Sequence, residues 1–234
     1  MKNYILILII ALFSTTNGFA NSNNHDTWNN LLNKYVSSQG NVDYKGFKTD
    51  TSTLNTYLEY LSNNKPSNSD SREVKLAYWI NAYNAFTVKL IIDNYPVNSI
   101  KDLGKPWDKK FINIGGETLS LNNIEHNILR KMDEPRIHFA IVCASVSCPK
   151  LINSAFTAKK LEEQLTIATQ EFLADTSKNI IKEKNIKISK IFKWFENDFK
   201  TDGSVIDFIN QYSKTTIAKK AKTSYTEYNW NLNE

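Results

Sequence analysis

The segment from residue 73 to residue 94 constrains the fold of this chain more than any other part of the sequence. Apolar side chains recur along it at helical spacing and mark one face: Leu76, Trp79, Tyr83, Phe86 and Leu90. Further apolar side chains populate the other faces: Ala77, Ile80, Val88 and Ile91. A helix that is apolar nearly all round is buried. We therefore expect a central helix that ends before Pro96 and is surrounded by the rest of the chain.

Shorter elements flank this helix. Helical spacing also marks residues 28–36, 54–61 and 157–173, and Ser120 is placed to cap a helix that runs to about residue 130. Gly115-Gly116 predicts a hairpin over residues 111–119, and residues 180–188 resemble a second hairpin. The apolar run 136–142 reads as a buried strand. The sequence thus predicts the α+β class: a helix-rich single domain whose central buried helix packs on a small, mostly antiparallel sheet.

The first twenty residues have the layout of a secretory signal peptide. Lys2 precedes an uninterrupted apolar run over residues 5–13, and Gly18-Phe19-Ala20 places small residues where a signal peptidase cleaves. The run is too short to span a bilayer, which takes about 20 residues. We therefore expect cleavage after Ala20, an exported protein in the periplasm or outside the cell, and one domain over residues 21–234.

The charge pattern limits the classes of partner. The chain has a formal net charge of +5, and its basic residues occur in small separate groups. A nucleic-acid-binding protein concentrates basic residues in one footprint. We expect no nucleic-acid partner, no stable membrane insertion after signal cleavage and no cofactor. The expected partner is a small molecule or a peptide.

The densest group of reactive residues is the turn Cys143-Ala-Ser-Val-Ser-Cys148-Pro149. It follows the predicted strand that carries His138, and loops on rigid elements often hold reactive groups. Cys148 beside an imidazole would form a Cys–His nucleophile pair for hydrolysis or acyl transfer. His138 or His126 would be the base, and an asparagine, Glu125 or Asp43 would orient it.

Two other interpretations of the same residues stay open. An oxidising compartment permits a Cys143–Cys148 disulfide that closes a short loop and leaves no free thiol. Alternatively, His126, His138 and the two cysteines could bind zinc, although their spacing matches no common zinc module. The disulfide interpretation favours a non-catalytic binding or scaffold protein of the cell envelope.

Three further polar residues are candidates for substrate binding. Asn81 and Asn84 lie three residues apart on one face of the predicted central helix. A buried amide must find partners, because leaving it unpaired costs roughly 1–3 kcal/mol. The two side chains therefore either tie neighbouring loops to the helix or, with Asp43, face a pocket.

Seven short motifs in one order carry a resemblance to a known family. They are Val42-Asp43-Tyr44 and residues 77–85, 95–100, 124–130, 136–140, 147–149 and 228–233. From about residue 28 to residue 233 the chain resembles the bacterial domain of unknown function 547 family. One departure is Asn229, which stands where the family pattern has an acid. The resemblance implies no established reaction, so the expected activity, a cysteine-dependent hydrolase or acyltransferase, rests on the residues alone.

Overall fold

The computed structural model describes residues 24–234, so the predicted signal peptide at residues 1–20 lies outside the described residues. The α-helices of this part are α1 (Asp26–Tyr35), α2 (Tyr44–Thr49), α3 (Thr51–Asn63), α4 (Arg72–Asn94), α5 (Leu161–Ala174), α6 (Ile191–Trp194) and α7 (Val205–Tyr212). The strands are β1 (Ile112–Ile114), β2 (Glu117–Leu119), β3 (Ile180–Ile181), β4 (Asn185–Ile188) and β5 (Lys222–Tyr225). Within residues 24–234, no helix combines the length and the apolar character needed to cross a membrane.

Helix α4 is the central helix that the sequence predicts. Ser71 caps its first turn by accepting a hydrogen bond from the Val74 N–H. Nearly every residue from Leu76 to Ile92 is buried, and the main neighbours of α4 are α2, α3 and short helical turns. The burial of so many large side chains is the main favourable term in the stability of the fold.

The strands form two small sheets. Strands β1 and β2 make the predicted antiparallel hairpin, whose turn places Gly115 and Gly116 at positive φ, 60° and 80°. Strands β3 and β4 make the second predicted hairpin, and β5 joins β4 in parallel. The α+β, helix-rich class is therefore confirmed, with one parallel strand pair added to an otherwise antiparallel arrangement.

One predicted element is wrong in type, and another is a helix of irregular type. The run 136–142 is not a strand, because Pro135–Phe139 forms a 3₁₀ helix and residues 140–142 continue without a strand partner. Pro135 stands at the first helical position, and the Glu134 side chain accepts from the Arg136 N–H. The helix expected after Ser120 is present, and Ser120 Oγ accepts from the Asn123 N–H at 3.1 Å. It is α-helical only at residues 121–122, and it continues as a π-helical segment, Asn123–Ile128, and a 3₁₀ turn, Leu129–Met132.

Two apolar clusters meet beside that 3₁₀ helix. One surrounds α4, and the other lies between α5, α7 and the β3–β4–β5 sheet. Ile137 belongs to the first cluster and Phe139 to the second, so His138 stands between residues of both clusters. The fold thereby holds the histidine backbone rigidly at their junction.

Candidate functional site

A cavity of about 210 Å³ lies at this junction and gathers side chains from distant parts of the sequence. Its chemically reactive lining residues are Glu125, His126, His138, Cys143 and Cys148. These are the residues for which the sequence predicts chemistry at the cysteine turn. One concave site with several convergent polar groups is the usual form of a small-molecule site.

Aromatic rings form much of the cavity lining. Trp107, Trp194, Tyr228 and Trp230 all line it, and the rings of Trp194 and Trp230 stack with centroids 5.9 Å apart. Trp194 is 47% exposed, which is unusual for so large an apolar side chain. A ligand in the cavity would therefore contact flat apolar surfaces.

His138 is fixed by a carboxylate that the sequence did not suggest. Its Nε2 lies 2.8 Å from Asp198 Oδ2, and its ring stacks on Phe195 with centroids 4.0 Å apart. Arg130 binds the same carboxylate with two hydrogen bonds, Nε to Oδ2 at 2.6 Å and Nη2 to Oδ1 at 2.7 Å. Such a bidentate pair fixes both position and orientation.

The Asp198 contact decides which nitrogen of His138 carries the proton. Burial acts to raise the pKa of Asp198, but hydrogen bonds from Arg130 and His138 hold it well below its ordinary value. The carboxylate is therefore charged and only accepts hydrogen bonds, so His138 Nε2 carries a hydrogen. Burial also lowers the pKa of His138, whose side chain is 3% exposed. The neutral ring then has its lone pair on Nδ1.

His138 lines the cavity, and Nδ1 is the ring nitrogen that the Asp198 contact leaves unpaired. Within residues 24–234, Nδ1 has no hydrogen-bond partner, and it is not fully buried. An unprotonated imidazole nitrogen at the surface of a cavity, backed by a carboxylate on its other nitrogen, is the arrangement of a general base.

The second histidine of the cavity contacts a cation instead of a carboxylate. Arg130 Nη1 lies 2.9 Å from His126 Nδ1, four residues earlier in the chain. Burial, and then the charge of Arg130, lower the pKa of His126. One arginine side chain thus touches both His126 and the carboxylate that holds His138.

Glu125 lies in an environment that favours its neutral form. It is 7% exposed, and Tyr83 Oη donates to its Oε2 at 3.2 Å. Burial raises the pKa of Glu125 to about 7, although the Tyr83 hydrogen bond acts to lower it. Glu125 does not contact either histidine through a hydrogen bond in the described residues, so its predicted role in orienting one of them finds no such contact.

Cys143 and Cys148 are joined by a disulfide in this structure. The Cys143 backbone N–H lies 2.9 Å from Cys148 Sγ, and Tyr228 Oη donates to the same sulfur at 3.3 Å. Burial raises the pKa of Tyr228, so its hydroxyl keeps its proton. Between the cysteines, Ala144 has a φ of 55°, a left-handed conformation that is uncommon for a residue other than glycine. No helix begins at Cys148.

The closing segment of the chain holds the cysteine turn in place. The Val146 N–H donates to Asn231 O and the Ser147 N–H to Asn229 O, while the Asn229 N–H donates to Ser147 Oγ. Asn229, the departure from the family pattern, therefore contacts the turn through its backbone, while its side-chain Oδ1 accepts from the Asn231 N–H at 3.0 Å. These contacts place Tyr228 and Trp230 on the wall of the cavity.

The three other predicted site residues lie away from the cavity. Asn81 bonds both backbone groups of Phe156, and Asn84 bonds Ala140 O and the Val142 N–H. Asp43 caps α2 by accepting from the Gly46 N–H at 2.7 Å. Asn84 still contributes indirectly, because it anchors the backbone that runs from His138 to Cys143.

The functional residues that sequence reasoning missed are Asp198, Arg130, Tyr83 and Tyr228. Tyr83 and Arg130 lie within the motifs at residues 77–85 and 124–130, so the family resemblance could have pointed to them. Asp198 lies among polar and charged residues outside the motifs, and no sequence pattern points to it. In the described part of the chain, no three His, Cys, Asp or Glu side chains are grouped as metal ligands would be.

Comparison with known proteins gives one family match. The family model described as "Protein of unknown function, DUF547" matches residues 66–173, a segment that carries Glu125, His126, His138 and both cysteines. No curated protein and no solved structure matches the chain.

Proposed function

Residues 66–173 belong to the DUF547 family, whose description carries no activity, and from the geometry of the cavity we propose an exported cysteine-dependent hydrolase or acyltransferase. Cys148 is its nucleophile and His138 its base. Export follows from the predicted signal peptide, and the substrate is a small molecule or peptide with an ester, thioester or amide carbonyl.

One observation carries the proposal: the Asp198 contact leaves Nδ1 of His138 as the unprotonated nitrogen, and His138 and Cys148 line the same cavity. A nucleophile, a base and a carboxylate that orients the base are the three parts of a nucleophilic catalytic site. Sixty residues separate His138 from Asp198, so this arrangement arises only in the folded chain.

The surroundings of Cys148 support its role as a nucleophile. The Cys143 N–H lies 2.9 Å from its sulfur, and the Tyr228 hydroxyl lies 3.3 Å from this sulfur and 3.3 Å from Cys143 Sγ. Hydrogen bonds to a charged form favour that form, so these donors would lower the pKa of a free Cys148 thiol. Cys143 is the natural resolving cysteine, since it forms the disulfide with Cys148.

The reaction begins with reduction of the disulfide by a dithiol. Two electrons and two protons pass to the cysteines, and the dithiol becomes a disulfide. Cys148 then gives its proton to His138 Nδ1, and the thiolate sulfur bonds to the substrate carbonyl carbon. The bond from that carbon to the leaving group breaks, and the leaving group takes the proton from His138. Water, or an acceptor alcohol or amine, then gives a proton to His138 while its oxygen or nitrogen bonds to the acyl carbon. The bond from that carbon to the Cys148 sulfur breaks, and the sulfur takes the proton back from His138.

The test uses the chain from residue 21 and a 4-nitrophenyl ester as the probe, with and without dithiothreitol. We expect ester cleavage only after reduction, with a burst of 4-nitrophenol that matches the amount of thioester found by mass spectrometry. Cys148→Ser should abolish the burst. Cys143→Ser, the matched control, should give activity without any reductant, because Cys148 is then a free thiol.

Two results would overturn the proposal. One is a Cys148 thiol that is no more reactive toward iodoacetamide at pH 7 than an ordinary thiol with a pKa of about 8.5. The other is a Cys143→Ser variant that remains folded but forms no thioester with the probe.

A second candidate is a non-catalytic binding protein of the cell envelope. The observation that favours it is the disulfide itself, which leaves neither sulfur as a free thiol and ties the wall of an aromatic-lined cavity. Under this alternative, a ligand would quench the fluorescence of Trp194 equally in the wild type and in Cys148→Ser, and reduction would add no reactivity.

A further inference from the structure

We propose that His126 serves as a hydrogen-bond donor to the carbonyl oxygen of the substrate, in a role opposite to that of His138. The inference rests on the proposed acyl-transfer function for its chemistry, but the proton position on which it depends can be measured separately. It adds to the site a group that stabilises the negative charge formed on that oxygen when the Cys148 sulfur attacks.

The argument starts from the contact between His126 Nδ1 and Arg130 Nη1, 2.9 Å long. A guanidinium group only donates hydrogen bonds and does not lose its proton in proteins. His126 Nδ1 must therefore accept, so it carries a lone pair and no hydrogen. The single proton of a neutral His126 ring is then on Nε2.

The opposite side of the ring is available to a ligand. Within residues 24–234, His126 Nε2 has no hydrogen-bond partner, and this nitrogen is not fully buried. The His126 side chain lines the same cavity as Cys148 and His138. The Nε2–H is thus an unpaired donor on a residue that lines the cavity in which the substrate carbonyl would lie.

His126 is poorly suited to act as the base that the sequence left as an alternative. Its one lone pair is used by Arg130, whose positive charge also opposes the uptake of a proton. A neutral imidazole that donates from Nε2 can stabilise an oxyanion without having to gain or lose a proton. Donors held in place before the reaction are usually the largest electrostatic contribution to catalysis.

Arg130 is the positioning residue that assigns both roles. Through Asp198 it favours the His138 tautomer with a free Nδ1 lone pair, and directly it favours the His126 tautomer with a free Nε2–H. One side chain therefore gives the cavity an acceptor and a donor on two residues of the same type.

The first test is ¹⁵N NMR of the imidazole groups in the wild-type protein. The chain has only three histidines, and His126→Gln and His138→Gln identify two of the three signals. We expect His126 to be neutral at pH 7 with its proton on Nε2 and with Nδ1 as an acceptor. A His126 ring protonated on Nδ1, or charged at pH 7, would overturn the inference whether or not the protein is an enzyme.

The second test compares variants in the reduced protein with the 4-nitrophenyl ester. His126→Gln keeps an N–H donor and should retain kcat within about tenfold, whereas His126→Ala should lower kcat by about 100-fold, with a smaller change in KM. If His126→Ala remains folded and matches the wild type while Cys148→Ser is inactive, this inference fails and the proposed function stands. If the wild type itself is inactive, the proposed function fails and the NMR result still decides the tautomer.

Discussion

Asp198 accepts a hydrogen bond from His138 Nε2 at 2.8 Å, and the same carboxylate binds Arg130 with both of its oxygens. The two partners of Asp198 approach from the helical segments before and after the sequence Asp133-Glu134. Asp198 is thus the junction through which the segment of Glu125 and His126 is linked to the segment of His138.

Replacing Asp198 with asparagine should weaken both the fold and the activity. The Arg130 charge loses its carboxylate, so we expect a loss of about 1–3 kcal/mol in the free energy of unfolding. The His138 tautomer is no longer fixed, so ester cleavage by the reduced protein should fall by about 100-fold. Urea unfolding and the burst assay measure the two effects. Asp202→Asn, at an exposed position nearby, is the control, and an equal effect there would contradict the assignment.

Asn84 should contribute far more to the stability of the protein than Asn94, which lies at the end of the same helix, α4. Asn84→Ala leaves Ala140 O and the Val142 N–H without partners inside the core, at a cost of about 3 kcal/mol. For a domain of this size, the melting temperature should fall by about 6–12 °C. The matched control is Asn94→Ala, at an exposed position of α4, where we expect less than about 0.5 kcal/mol. Similar melting temperatures for both variants would show that the Asn84 contacts are weak.

Glu125 should make the protein less stable as the pH rises. Its pKa rises from the ordinary 4.5 to about 7 on folding, so between these values the folded chain holds more protons than the unfolded chain. Stability from this group is therefore present below pH 4.5 and lost as the pH increases to about 7, by at most about 3 kcal/mol.

Glu125→Gln isolates this effect, because glutamine is uncharged and can still accept from Tyr83. The difference in unfolding free energy between wild type and variant should change by up to about 3 kcal/mol from pH 4.5 to pH 7. Glu59→Gln, at an exposed position of α3, should give a nearly constant difference. A constant difference for Glu125→Gln as well would mean that Glu125 is charged throughout this range.

Reduction of the Cys143–Cys148 disulfide should weaken the fold only moderately. The two cysteines are five residues apart, and closing so short a loop stabilises a protein by about 2 kcal/mol in the chain-entropy model. The reduced wild type should therefore stay folded, with a melting temperature lower by several degrees. A double Cys143→Ser, Cys148→Ser variant should not respond to reductant. Complete unfolding of the reduced wild type would exclude activation by a dithiol.

The elements that could be predicted from the sequence are those with a strong local signal. Helix α4 is apolar on every side, and the β1–β2 hairpin has two glycines at its turn, so each pattern points to one structure. The strand predicted over residues 136–142 is wrong, because a short apolar run fits a buried strand and a buried helical turn equally well. Pro135 was the available signal for a helix start.

The cavity could be predicted only in part, because some of its contacts join residues far apart in the sequence. Cys148, His138, His126 and Glu125 lie within 24 positions of one another in the chain, and they do line one cavity. Asp198 could not be predicted, because its contacts span 60 and 68 residues and depend on how the two apolar clusters pack together. The side-chain amides of Asn81 and Asn84 have hydrogen-bond partners, as expected. The residue type alone could not predict whether these partners would be backbone groups or a ligand.

Tyr228 donates to the sulfur of Cys148 across 80 residues of sequence, and Trp230 forms part of the same wall. On the ribosome, Cys148 therefore emerges well before the residues that complete its surroundings. Until residues 228–230 follow, the cysteine turn lacks the segment that pairs with it. The order of synthesis thus leaves this cavity incomplete until residues 228–230 have been made.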